Sequence, residues 1–275
     1  EKFGRYSFIG LPASTRIEVN NQELKLIKQG NLLELYKGDP LNYIRNFMDK
    51  FKVAPSQEIL PRFCGGLAGY FGYDTIRFIE PRLRTLASYK RVSEPNVPDI
   101  LLLLTEELVV FDNVSGNLFL IVYSDPAEQD SYLKANERLD ELLNLLSNTI
   151  IPVKQKDLKP EEVTRSFTKK NFLEAVSKAK EYIVEGDVMQ VVIGQTLSKP
   201  FKGSPLSLYR ALRSINPSPY MYYYDFGDFQ VVGASPEILV RQDWEEKDKK
   251  KSSKVTIRPI AGTRPRGKDY DEDQQ

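Results

Sequence analysis

The sequence contains no histidine and a single cysteine, Cys64, among its 275 residues. Without histidine the chain has no imidazole for proton transfer near neutral pH. One thiol cannot form an intramolecular disulfide, and no Cys or His cluster offers a zinc site. Long apolar runs are missing too: none approaches the roughly 20 residues that a membrane-spanning helix needs. Nothing at the N-terminus has the pattern of a secretion signal, so a cytoplasmic protein is expected. Charge of one sign is equally scarce. With 39 basic and 38 acidic residues the formal net charge is +1, which gives no electrostatic basis for binding nucleic acid or an anionic membrane. An initiator Met is absent, since the chain opens at Glu1, and a polar run closes it over residues 269–275.

What is present is core material. A hydrophobic content of 41% over this length can fill one large core or two smaller ones. Short β-rich runs predict strands at 6–9, 24–27 and 32–36, the last two separated by a Gly-Asn turn signal. Asp39-Pro40 then opens a helix, with Asp39 as N-cap and Leu41, Ile44, Phe47 and Met48 at helical spacing. A Gly-rich strand is expected over 63–73, where missing side chains allow close backbone packing. Strands at 100–111 and 118–123 flank a hairpin turn at 112–117, and a charged helix is expected over 125–146, with Leu139, Leu142, Leu143 and Leu146 on one face. Residues 148–166, rich in Pro, Lys and Glu, form a crossover linker between a first part (1–147) and a second (167–275).

The second part opens with an amphipathic helix capped by Thr168 and ended by Gly186, its stripe being Phe172, Val176, Ala179 and Ile183. A strand at 188–197 and a helix opened by Ser204-Pro205 follow. Further strands are expected at 220–226, 229–232 and 238–241, and residues 243–253 are read as a solvated hairpin tip. Strands joined by hairpins with helices interspersed predict an α+β fold with mainly antiparallel sheets.

The most informative stretch is Arg258-Pro259-Ile260-Ala261-Gly262-Thr263-Arg264-Pro265-Arg266-Gly267. Val255, Thr256 and Ile257 deliver the chain to a small-residue turn. Gly262 lets a ligand approach the backbone, and the Thr263 hydroxyl with nearby N–H groups can bind a carboxylate. Arg264 and Arg266 add positive charge; in isolation they would read as an exposed basic loop.

Four further segments accompany it: Gly233-Ala234-Ser235-Pro236-Glu237, Asn216-Pro217-Ser218-Pro219-Tyr220-Met221, the run from Gly186 through Gln190 to Gln195, and the N-terminal Gly4-Arg5-Tyr6-Ser7-Phe8-Ile9-Gly10. In this order and spacing the chain resembles the chorismate-utilising enzymes and, among them, the large subunits of anthranilate synthases. The resemblance spans almost all of it. It implies two intertwined subdomains built around a β-sandwich, the first lying in 1–147 and the opening portion of the chorismate-binding catalytic domain in 167–275.

The same resemblance implies residue roles. Glu237 matches the glutamate that handles the proton on the chorismate ring, a task that requires its pKa to be tuned toward neutrality; a glutamate taken alone usually stays in water. Gly262 and Thr263 match the pair that contacts the ring carboxylate. Pro219, Tyr220 and Met221 match the segment lining a feedback site for L-tryptophan, where an aromatic face and a thioether suit an indole; the neighbouring tyrosines also read as an ordinary core strand. Family members use Mg2+ and take ammonia from a glutamine amidotransferase subunit. Their general-acid histidine and most magnesium carboxylates lie in later segments, so this chain is expected to be an internal portion of a longer protein, inactive alone.

Two positions separate activities within the family. Isochorismate-forming relatives have a lysine where Gln190 stands, and an amide cannot replace it as a base. Aminodeoxychorismate synthases commonly carry a nucleophilic lysine in place of Ala261. Both point to anthranilate formation. Aminodeoxychorismate synthase is the nearest alternative, and a non-catalytic module that binds tryptophan or the amidotransferase is another.

Overall fold

The computed structural model describes residues 4–54, 60–84, 97–148, 161–247, 250–258, 265 and 267–273. In chain order the elements are β1 (Tyr6–Gly10), β2 (Thr15–Asn20), β3 (Glu23–Lys28), β4 (Asn31–Lys37), α1 (Pro40–Met48), β5 (Gly66–Phe71), a 3-10 turn (Tyr73–Thr75), α2 (Ile76–Ile79), α3 (Pro81–Arg84), β6 (Ile100–Thr105), β7 (Glu107–Asp112), β8 (Leu118–Val122) and α4 (Ser131–Ser147). There follow β9 (Thr164–Arg165), α5 (Lys169–Glu185), β10 (Leu197–Ser198), α6 (Pro205–Ile215), β11 (Tyr220–Asp225), β12 (Gln230–Ser235), β13 (Val240–Lys247), β14 (Lys250–Ile257) and α7 (Tyr270–Asp273). Mixed helix and antiparallel sheet confirm the α+β expectation.

Contacts group the chain into two units. The first comprises residues 1–150, 218–220 and 235–275, the second 151–217 and 221–234. The core of the first unit lies on a five-stranded sheet of order β4-β3-β2-β6-β5. Its central strand β2 alternates buried and half-buried residues. Ile17 stands in register with Leu26 on one side and Leu102 on the other, and Val19 with Leu24 and Ile100. All six are buried, and Phe47 of α1 joins their cluster with Leu41, Ile44 and Met48 packed against it. Period-two alternation placed against a helical stripe is what closes this core. Asp39 caps α1 as expected, its carboxylate accepting from Leu41 N at 2.9 Å and Asn42 N at 3.3 Å.

Gly69 of β5 is needed for close approach, because a Cβ there would collide with the Leu101 carbonyl of β6. A second sheet of the first unit runs β1-β7-β8, with Tyr6 opposite Asp112 and Gly10 opposite Leu108. Strand β13 pairs along its whole length with β14.

The second unit holds the α5 and α6 helices, the two-residue β9-β10 ladder and most of the β11-β12 pair. Thr168 and Ser204 cap their helices, accepting from Asn171 N at 3.2 Å and Ser207 N at 3.4 Å. Gly186 ends α5 at φ 85°, a left-handed conformation that suits glycine. Neither helix buries a residue.

Several expectations are corrected. The strand expected at 100–111 is two strands: Thr105 closes β6, Glu107 opens β7, and the chain changes sheets between them. The alternation of β2 is absent from the expectations although it is the central strand. No ladder runs through 188–196; strand is confined to Leu197–Ser198, and Met189 and Val192 are 98% and 85% exposed. β-propensity there finds no partner strand among the described residues, and a strand is made by its ladder. Helix α4 begins at Ser131, after an Asp130 in left-handed conformation, and of its predicted stripe Leu142 alone is buried. Residues 243–253 lie largely within the paired strands, while the tip at 248–249 is outside the described residues.

Candidate functional site

Glu237 sits in the bend between β12 and β13 and is half-buried. Ser235 ends β12 and donates its hydroxyl to the Glu237 carbonyl at 2.8 Å. That bond closes a local turn around Pro236 and fixes the backbone from which the carboxylate projects. A half-buried carboxylate on a fixed turn can accept or return a proton to a ligand placed against it. The structure thus gives Glu237 a defined seat. Gly262, Thr263, Ala261, Arg264 and Arg266 lie outside the described residues, as does the carboxylate-binding turn expected of them. Gln190 is exposed on the irregular stretch after α5.

Pro219 is half-buried, Tyr220 exposed and Met221 half-buried, at the start of β11. In the remainder of that strand and its loop the aromatic residues form a ladder. Ring centroids are 5.9 Å apart for Tyr222 and Tyr224, 5.6 Å for the stacked Tyr224 and Phe226, and 5.2 Å for Phe226 and Phe229. Gly233 of β12 leaves room for the ladder, since a Cβ there would enter the Tyr222 ring. Asp225 holds the hairpin loop, accepting from Gly227 N and Gln230 Nε2 at 3.0 Å each. Those bonds hold its carboxyl below the usual carboxylate range, the Gln230 bond first, while burial pushes the Tyr224 phenol up. Tyr222 to Tyr224 therefore do what a tyrosine-rich strand does in a packed hairpin.

One group of residues carries more bonding than its sequence advertises. Arg5 donates from Nε to both carboxylate oxygens of Asp112 at 3.1 and 3.2 Å, and from Nη2 to Oδ2 at 2.7 Å. The Asp112 carboxylate is almost fully buried, with 5% of its side chain exposed. It also accepts from Val114 N at 3.0 Å and Ser115 N at 3.4 Å. The Arg5 bond, reinforced by these N–H groups, holds its carboxyl well below the ordinary range. A carboxyl whose folded pKa is depressed stabilises the fold above its unfolded value, and that contribution is lost as pH falls through the folded value. Arg5 was visible in the N-terminal motif, but nothing there named its partner 107 positions away. The available signal was an aspartate opening the turn before Asn113.

A cavity of about 330 Å³ lies in the first unit, lined among others by Leu11, Ser14, Glu106, Asp125, Lys134 and Arg138. Of the sequence-predicted site residues, the described ones, Glu237, Pro219, Tyr220 and Met221, do not border it. Its cations are engaged: Arg138 binds Glu107 at 2.9 Å and Glu141 at 2.8 Å, and Lys134 donates to the Gln129 carbonyl at 3.1 Å. No group of three or more His, Cys, Asp or Glu able to hold a metal occurs among the described residues. No helix among them is long and apolar enough to cross a membrane.

The structure is an α+β protein of antiparallel sheets, with Glu237 half-buried in a turn closed by Ser235. Residues 3–275 match the chorismate binding enzyme family, and the chain belongs to it. Anthranilate synthase component 1 of Neisseria gonorrhoeae is 45% identical over 273 residues, covering 99% of this chain and 54% of that protein. The proteins of the same name from Pseudomonas aeruginosa and Aquifex aeolicus are 44% and 38% identical, covering 97% and 100% of this chain and 53% and 54% of theirs. A crystal structure of anthranilate synthase component I from Streptococcus pneumoniae superposes with a TM-score of 0.67 at 29% identity, covering 86% of this chain and 51% of that one. The chain spans about half the length of the curated relatives it matches.

Proposed function

We propose that these residues belong to the synthase component of an anthranilate synthase, which converts chorismate and ammonia to anthranilate and pyruvate on the route to tryptophan. Ammonia adds to the ring as the hydroxyl leaves as water, giving aminodeoxyisochorismate. Loss of the ring proton and of the enolpyruvyl group as pyruvate then gives the aromatic product. Glu237 is the group that moves a proton at the ring, and Gly262 and Thr263 hold the ring carboxylate. The observation that carries this reading is the family match over residues 3–275, together with relatives of that name at 38–45% identity across the chain. Ala261 and Gln190 support it chemically, because neither supplies the amine used by aminodeoxychorismate or isochorismate synthases.

The reading includes a glutamine amidotransferase subunit as the ammonia source, L-tryptophan as feedback inhibitor at Pro219, Tyr220 and Met221, and a cytoplasmic setting. Magnesium enters it by family likeness alone.

The test is steady-state formation of anthranilate, followed by fluorescence, with the full-length enzyme, chorismate, Mg2+ and ammonium as nitrogen donor. A product that retains the pyruvyl ether would overturn the assignment in favour of aminodeoxychorismate formation. Glu237→Gln keeps the size and hydrogen bonding of the side chain but removes its ionisable group. It is expected to lower kcat by about 10²–10⁴-fold, with KM affected less. Near-normal kcat with a raised KM would assign Glu237 to binding, and a matching loss of thermal stability would assign it to structure.

A further inference from the structure

The residues that precede β1 are held more firmly than an ordinary strand entry. Asn113 donates its backbone N–H to the Arg5 carbonyl at 2.8 Å, and its side-chain amide to the Gly4 carbonyl at 3.3 Å and to Ser7 Oγ at 3.1 Å. Arg5 in turn grips the buried Asp112 in the geometry given above. A β7-β8 hairpin needs only its own turn bonds, which Asp112 already supplies through Val114 and Ser115. The additional bonds all run to Gly4, Arg5 and Ser7, so their effect is to fix the backbone of the strand entry.

That backbone abuts Pro219. A Cβ added at Gly4 would stand 3.3 Å from the Pro219 carbonyl oxygen and 3.7 Å from that of Tyr6. The first distance is tighter than nine in ten real Cβ contacts, so a backbone neighbour would have to give by a few tenths of an ångström. Gly4 and residues 218–220 belong to the same unit. Pro219 is stiff in φ, and Tyr220 follows it directly within the same unit. A shift at Pro219 is therefore passed to Tyr220 as a change in direction.

We propose that Arg5, Asp112 and Asn113 are positioning residues for Pro219 and Tyr220, which lie in the same unit as they do: they hold the side-chain-free backbone of Gly4 against the Pro219 carbonyl and so set the affinity for the inhibitor without taking part in turnover. The inference rests on reading the Pro219-Tyr220-Met221 segment as the site for L-tryptophan. It extends the reading to residues more than 100 positions away in sequence, none of which need touch the inhibitor.

The experiment uses the full-length enzyme with ammonium as donor and measures the tryptophan inhibition constant, kcat and KM without tryptophan, and Tm, for Gly4→Val, Asn113→Ala and Asp112→Asn. Coupling between sites commonly amounts to about 5–150-fold, so the inhibition constant is expected to rise by at least about fivefold while kcat/KM stays within about twofold. Should Gly4→Val not fold, Gly4→Ala and Asn113→Ala carry the same expectation. Variants that lower Tm and kcat while leaving the inhibition constant unchanged would show a merely structural clamp and overturn the inference. Met221→Ala separates this from failure of the underlying reading. If Met221→Ala weakens inhibition and no clamp variant does, the segment is the tryptophan site and the clamp does not position it. If tryptophan inhibits the parent and Met221→Ala alike, or does not inhibit the parent, the reading falls and takes the inference with it.

Discussion

Helices α1 and α6 are written in nearly the same way, and only one of them is buried. Each opens with a capping residue followed by proline, Asp39-Pro40 and Ser204-Pro205, and each carries apolar residues at helical spacing. Helix α1 buries Pro40 and Phe47 and lies in the cluster built on Ile17, Val19 and Ile100. Helix α6 leaves Leu206 50%, Leu208 46% and Ile215 83% exposed. Among the described residues of the second unit Phe226 alone is buried. Capping and spacing shape a helix, but an apolar face gains its roughly 1.5–3 kcal/mol per large side chain only against a second surface. In the first unit the five-stranded sheet is that surface. For α5 and α6 the described residues cover less: Tyr209 of α6 lies 6.2 Å from Tyr223 of β11, but neither helix buries a residue, and short helices with little packing are marginal in water. An amphipathic pattern is thus evidence of a partner surface, not of where that surface is.

The comparison is most sharply tested by truncating one side chain in each region. Ile17→Ala removes a fully buried side chain flanked by Leu26 and Leu102, and is expected to cost about 2–5 kcal/mol in urea unfolding of the sheet. Leu208→Ala, at a half-exposed position, is expected to cost well under half as much, since the lost transfer energy scales with the area already withdrawn from water. Equal costs in the full-length protein would break the comparison by showing that α6 is covered there as completely as β2 is here.

Glycines supply a second and somewhat smaller contrast. Gly69→Ala forces a methyl group into the Leu101 carbonyl. Backbone in a central sheet yields little, so a cost of about 3 kcal/mol is expected, the upper end of ordinary overpacking. At Gly233 the obstacle is the ring of Tyr222, a side chain 40% exposed. The ring can swing toward solvent, and Gly233→Ala is expected to cost about 1 kcal/mol. Thermal unfolding of both variants measures the difference. A Gly233→Ala cost as large as that of Gly69→Ala would mean that the tyrosine ladder is as rigid as the sheet.

Legibility in the sequence followed the range of the interaction. Caps, stripes and tight turns are local, and Asp39, Thr168, Ser204, Gly186 and the 112–117 turn were all readable because the hydrogen bonds that define them span a few residues. Strand β2 alternates as clearly as any, yet its centrality follows from pairing with β6, which begins 85 positions after β2 starts. The β-rich run over 100–111 hid a change of sheet, because Thr105-Glu106-Glu107 is too short an interruption to show that hydrogen-bond partners switch there from one sheet to the other. The apparent strand at 188–196 failed for the opposite reason: its composition fits a sheet, and its ladder is missing among the described residues. Glu237 was read from motif context alone, and the structure adds only the Ser235 bond that closes its turn. The Arg5–Asp112 pair could not be read from either end, since an arginine and an aspartate 107 positions apart have no periodicity in common.

The smallest effects are expected at the helix caps, and there the two regions should differ in kind. Asp39→Ala and Thr168→Ala each remove a side-chain acceptor from the first turn, a loss of about 1 kcal/mol. In α1 that loss should appear in the global transition, because Phe47 ties the helix to the sheet and the two unfold together. In α5 no residue is buried, and the helix can open by itself at low cost. Thr168→Ala is therefore expected to speed hydrogen exchange in the first turn of α5 while leaving the unfolding midpoint of the sheet unchanged. Exchange followed by mass spectrometry, alongside a urea curve on the same samples, separates the two. If Thr168→Ala moves the global midpoint as far as Asp39→Ala does, the second unit unfolds in step with the first. Its exposed helices would then owe their stability to packing that the contrast between α1 and α6 leaves out.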